Sequence, residues 1–166
     1  MDEVVSPTVA SQTPVVTPSI VYASFGRRFV ASLLDGVIVG VVGGIIGLVM
    51  GIIVGLILVA TGSSSKDLTT SILGGVVQIV NGGLTLGYYI YFTGKNGQTL
   101  GKKALGIKVI KKDSMQVPGY MSAFLREVVG KFLSAIVFGL GYLWMLWDKD
   151  KQTWHDKIAG TIVIKI

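Results

Sequence analysis

Asp35 is a carboxylate placed where a charge is expensive. It lies inside an apolar run, residues 29–60, that holds no other charged residue, and the basic pair Arg27 and Arg28 closes one end of that run. A run of this length reads as a membrane span, and an ionisable group within a span costs on the order of a few kcal/mol. Arg28 can carry its charge to the headgroups on its long stem, whereas Asp35 is too short to follow and must face protein, water or a bound cation. The step from Arg28 to Asp35 is about 10 Å along a helix, too far for a short ion pair between them. Two chemistries fit. Asp35 binds a cation or proton, or it pairs with a basic residue such as Arg126 or Lys131 and fixes helix packing.

A second acid, Asp156, follows Gln152-Thr153-Trp154-His155. It reads as a loop charge, solvated or paired with Lys102, which occupies the matching position of a duplicated unit described below. His155 is the only histidine and cysteine is absent, so the usual zinc-ligand spacings cannot form. Beside Trp154 it reads as a surface or packing residue. No phosphate loop, dinucleotide fingerprint or local Ser/His/Asp arrangement is present. The expectation is a protein without enzymatic activity, cofactor or resident metal.

The elements that position these residues follow from composition. The chain has 166 residues, 51% hydrophobic and only 14% charged, with mean hydropathy +0.67, which is too apolar for a soluble domain. The net charge of +6 comes from Lys and Arg flanking apolar runs. That distribution points to the bilayer and its anionic headgroups rather than to nucleic acid. Residues 1–21, with Pro7, Pro14 and Pro18, are expected to form a disordered tail, and residues 22–166 the membrane domain. The acidic start, Asp2 and Glu3, and the late, long first apolar run speak for an uncleaved anchor.

Three apolar stretches follow. Residues 29–60 would make a helix of about 48 Å against roughly 30 Å of hydrocarbon, so it must tilt, protrude or break, with Gly43-Gly44 as the candidate break. Residues 68–94 form the second span. The third, residues 132–147, is short and interrupted by Gly139-Leu140-Gly141. In the first span Gly36, Gly40 and Gly44 recur every four residues, as do Gly43, Gly47, Gly51 and Gly55. Such series lay a groove for close helix packing, within the chain or between copies.

An internal repeat bears on topology. A shift of 54 residues aligns 86–111 with 140–165 and gives 11 identities in 26 positions, among them Gln98-Thr99 with Gln152-Thr153 and Val109-Ile110-Lys111 with Val163-Ile164-Lys165. Residues 107–111 and 161–165 have strand composition and are expected to pair. Six lysines and no acid between residues 95 and 112 place that loop, with Arg27 and Arg28, in the cytoplasm. If the repeat keeps residues 148–166 there too, residues 120–147 form a re-entrant or interfacial hairpin. The competing arrangement is a third full span with the C-terminus outside.

Residues 23–35 with their Arg28 and Asp35, then Gly97-Gln98-Thr99-Leu100-Gly101-Lys102-Lys103-Ala104-Leu105-Gly106, then Trp154-His155-Asp156-Lys157-Ile158-Ala159-Gly160-Thr161, resemble the RDD family of small bacterial membrane proteins, named for one arginine and two aspartates. The resemblance implies that Arg28, Asp35 and Asp156 are those three residues. It also implies a protein of the bacterial cytoplasmic membrane, with transport of cations, protons or other small solutes suggested for some members and partnership in membrane assemblies for others. The fold expected is therefore an all-α integral membrane protein with two transmembrane helices, a third apolar segment and a small cytoplasmic β-ribbon. Two functions stay open: small-solute or cation/proton transport by a homo-oligomer through the buried carboxylate, or a non-catalytic scaffold for other membrane proteins.

Overall fold

The computed structural model describes residues 20–61, 66–136 and 139–166. Most of the expected tail, residues 1–19, lies outside the described residues. Helix α1 (Phe25–Thr61) runs unbroken for 37 residues, about 55 Å. Of the three ways to fit the long run, a break at Gly43-Gly44 does not occur, and neither glycine has a positive φ. Apolar surroundings explain this, because no water competes there for the helix carbonyls. Helix α2 (Lys66–Asn96) follows, and both helices are long and apolar enough to cross a membrane.

The two helices run antiparallel, meeting where Tyr88 reaches Asp35 and where a Cβ at Gly43 would lie 3.3 Å from Asn81 Oδ1. Gly36, Gly40, Gly44, Gly47, Gly51 and Gly55 have nothing within 4 Å of an added Cβ. Among the described residues, packing inside the chain thus uses Gly43 alone of the two series. Among the described residues α1 buries only Ala31 and Asp35, both near its N-terminal end.

The rest of the chain gathers at that end. Helix α3 (Leu100–Ala104) leads into strand β1 (Ile107–Lys111), then come α4 (Gly119–Phe124), a π-helical turn (Leu125–Gly130) and α5 (Lys131–Ile136). After Gly139 come α6 (Leu140–Leu143), a 3-10 turn (Trp144–Leu146), α7 (Trp154–Ile158) and strand β2 (Thr161–Lys165). The strands occupy the expected residues and pair antiparallel with Val109 opposite Val163. Tyr22 bridges to Ile164 on the free edge of β2. Ala23, Ala31, Ile107, Val109 and Val163 form one buried cluster that fastens the ribbon to the start of α1.

The third apolar segment, Gly119–Ile136 with Leu140–Leu146, is bent by 108° next to Gly139, whose φ of 74° suits a residue without Cβ. It begins after β1 and ends before β2. Since those strands pair, the segment leaves and re-enters the same end of the molecule.

Candidate functional site

Asp35 is fully buried, and its carboxylate accepts three hydrogen bonds. Oδ1 accepts from the Tyr88 hydroxyl at 2.9 Å and from the Gly101 backbone N–H at 2.8 Å, and Oδ2 accepts from the Thr99 hydroxyl at 2.5 Å. Thr99 is the N-cap of α3, so a carboxylate from α1 satisfies one of the free first-turn donors of a helix far along the chain, the Gly101 N–H. The Tyr88 hydroxyl also accepts from Leu100 N–H at 3.1 Å. Gly101 makes this approach possible, because a Cβ there would collide with the Ala31 carbonyl oxygen and the Asp35 side chain.

A second cluster surrounds Asp156, also fully buried. Its Oδ2 accepts from Arg28 Nη1 at 2.8 Å and from the Thr153 hydroxyl at 2.8 Å, and its Oδ1 accepts from the Thr161 hydroxyl at 3.3 Å and forms an ion pair with Arg126 Nη2 at 3.2 Å. Thr153 and Asp156 together form a capping box on α7. Arg28 is satisfied on all sides, since it also donates to the Ala23 and Lys151 carbonyls. Burial alone raises the Asp156 carboxyl, but the positive groups around it, Arg126 foremost, outweigh that and hold it below the usual carboxylate range. His155, on the same helix, is pushed down to about 3 by burial against the opposing pull of Asp156. It is neutral at physiological pH, 5.3 Å from the Tyr142 ring.

Beside the clusters lies a cavity of about 360 Å³, lined by apolar side chains together with Asp35, Lys102, Arg126 and Lys131. Glu127 pairs with Lys131 and lies 3.6 Å from Arg126 Nε. Lys131 also sits 4.2 Å above the Tyr89 ring. Lys102 makes no ion pair among the described residues, and burial pushes it down to about 8 despite the nearby Glu127.

The structure therefore redistributes the expected partners. Asp35 does not pair with Arg126 or Lys131, because Asp156 and Glu127 engage them and the α3 N-terminus lies nearer. Asp156 is neither solvated nor paired with Lys102, since its place in the capping box turns it inward, between two arginines. Arg28 and Asp156 meet directly, while Asp35 occupies a separate network at the same end of α1. Sequence reasoning passed over Tyr88, Thr99, Gly101 and Glu127. The signal for Thr99 was present, a Gln-Thr pair before each of two short helices, and for Glu127 it was the four-residue step to Lys131.

The two Gln-Thr pairs act alike. Gln98 Nε2 donates to the Ile107 carbonyl at 2.9 Å, and Gln152 Nε2 to the Thr161 carbonyl at 2.7 Å. Each following threonine gives its hydroxyl to a buried carboxylate, Thr99 to Asp35 from α1 and Thr153 to Asp156 from its own helix.

The model of the RDD family matches residues 22–160. An uncharacterized membrane protein of Bacillus subtilis, YteJ, is 30% identical over 145 residues, covering 86% of this chain and 80% of that protein. A second uncharacterized B. subtilis protein, YckC, is 42% identical over 71 residues, or 40% of this chain and 46% of that one. A proline-rich antigen homolog of Mycobacterium tuberculosis is 34% identical over 100 residues, 58% of this chain and 41% of that one. The chain thus spans less than half the length of several curated relatives it matches. No solved structure matches it at a significant level.

Proposed function

The chain belongs to the RDD family, and from that premise we propose that it is a non-enzymatic, multi-pass protein of the bacterial cytoplasmic membrane that serves as a subunit of a larger membrane assembly, formed with copies of itself or with another membrane protein. One contrast carries this reading. The charged end is closed on itself, with Asp35, Arg28 and Asp156 all occupied by protein partners, whereas the most apolar stretches of α1 and α2 bury no residue within the chain. A membrane protein whose chemistry-bearing residues hold the fold, and whose spans are open along their length, offers helix faces to neighbours. The exposed glycine series on α1 suit that use.

The lysine-rich stretch at residues 95–112 and the Arg27–Arg28 pair argue that the ribbon and the N-terminus are cytoplasmic, with Lys103 and Lys111 exposed toward anionic headgroups. The paired Val109 and Val163 and the matching Gln-Thr bonds support a duplicated unit, which also keeps both strands on one side. Single-cysteine labelling at Asp113→Cys and Ile166→Cys, clean because the chain has no cysteine, tests the side. Both are expected to be shielded in intact cells, and external labelling of Ile166→Cys alone restores a third full span.

Extraction of the tagged protein from its native membrane into polymer nanodiscs tests the assembly. A particle mass above one chain, or a co-extracted membrane protein in fixed ratio, is the expected result. A lone chain overturns it.

One observation favours the second reading, transport of a cation, proton or other small solute: Asp35 borders the 360 Å³ cavity. In that case Asp35→Asn stays folded and loses pH-dependent cation flux in proteoliposomes. Wild-type protein that carries no Na⁺, K⁺ or H⁺ under any gradient removes this reading.

A further inference from the structure

We propose that the cavity between α1, the bent third segment and α7 is a binding site for one oxoanion, a phosphate group carried either by an anionic lipid headgroup or by a small soluble molecule. Its lining holds four cations, Arg28, Lys102, Arg126 and Lys131, and the carboxylate Asp35; Asp156 and Glu127, just outside the lining, pair with all of the cations but Lys102. Arg28 and Asp35 are saturated by the protein. Arg126 is not. It is only 4% exposed, Nη2 is held by Asp156 and Nε faces the Glu127 carboxylate at 3.6 Å, but the buried Nη1 has no hydrogen-bond acceptor among the described residues. A buried guanidinium nitrogen without an acceptor is costly, and a charge-assisted N–H bond to a phosphate oxygen would relieve that cost. Lys102, on α3, brings an unpaired cation to the same cavity, and an anion there would favour its charged form against the effect of burial.

The volume, about 360 Å³, lies in the range of small-ligand pockets. One wall is apolar and continuous with the membrane-facing start of α1, where the rings of Phe25 and Phe29 stack at 6.2 Å and both remain exposed. A phosphate inside and an apolar chain along that wall would meet complementary surfaces at once. This site is distinct from the exposed lysines of residues 103–112, whose attraction to a charged bilayer needs no cavity.

The test uses the full-length protein, delipidated in detergent, with binding followed by native mass spectrometry and thermal stability. The probes are phosphatidylglycerol, phosphatidylcholine as the zwitterionic control, and inorganic phosphate. Retention of one phosphatidylglycerol per chain with a rise in melting temperature, absent with phosphatidylcholine, assigns a lipid headgroup. Saturable stabilisation by inorganic phosphate assigns a soluble source. In either case Lys102→Gln, which breaks no ion pair, is expected to weaken binding about tenfold while the protein stays folded. Arg126→Gln is expected to weaken it further at the cost of the Asp156 contact. No response to any anion, or phosphatidylglycerol binding that Lys102→Gln and Arg126→Gln leave unchanged, overturns the proposal.

Discussion

Replacing Asp35 by alanine removes the acceptor for three donors at once. The Tyr88 and Thr99 hydroxyls can turn elsewhere, but the Gly101 N–H is fixed in the backbone and left buried. The expected loss is about 2–4 kcal/mol of stability, while Asp35→Asn, which retains an acceptor oxygen, loses less. Denaturation in mild detergent separates the two. His155 sets the response to acid. The folded protein keeps it neutral down to about pH 3, whereas the unfolded chain protonates it near its ordinary value of 6.5. Between those values the unfolded state binds the extra proton, so stability falls as pH falls, by about 2 kcal/mol from pH 7 to pH 5. Asp156 adds its own loss only below the usual carboxylate range, at about pH 4 and under. His155→Gln is expected to flatten the pH 5–7 slope, and a slope unchanged in that variant would assign it to another group.

At the level of elements, short helices are held by carboxylates and close backbone approach rather than by length. Helix α3 has five residues and cannot persist alone. Gly101→Ala pushes a Cβ into the Ala31 carbonyl and Asp35, so it is expected to cost about 1–3 kcal/mol, although alanine is the better helix former. Gly47→Ala, with open space around its Cβ, is expected to cost nothing and to raise the isolated chain's stability by up to about 1 kcal/mol through helix propensity. Circular dichroism melts of the two variants side by side make the comparison. The strands, both spans and the turn at Gly139 were legible in the sequence, because alternation, apolar length and glycine placement are local signals. The partners of Asp35 and Asp156 were not. Charge alone suggested Arg126, Lys131 and Lys102, whereas the outcome turned on which donors a helix N-terminus leaves unpaired, a property of α3 and α7 once they are placed. Which of tilt, protrusion or a break at Gly43-Gly44 accommodates the first run was not legible either; the helix is unbroken, since glycine's cost in a helix depends on the solvent around it.

For the whole molecule, the described residues divide into a closed end and an open pair of helices. The closed end joins α1, α3, the ribbon, the bent segment and α7 through buried carboxylates and arginines. The open pair presents large exposed side chains and unoccupied glycine faces to lipid or to a neighbour. If the open pair is a partner surface, blocking its glycine face changes the assembly and leaves the closed end intact. The particle mass of wild-type protein in native-membrane nanodiscs is compared with that of the double variant Gly47→Leu, Gly51→Leu. A Cβ at either site meets nothing within 4 Å among the described residues, and an unchanged melting temperature in the variant shows that any change in particle mass reports a partner. The expected result is a wild-type particle larger than one chain that falls toward a single chain in the variant, with the melting temperature of the closed end unchanged. A wild-type particle of one chain, or an assembly indifferent to both substitutions, would contradict the claim.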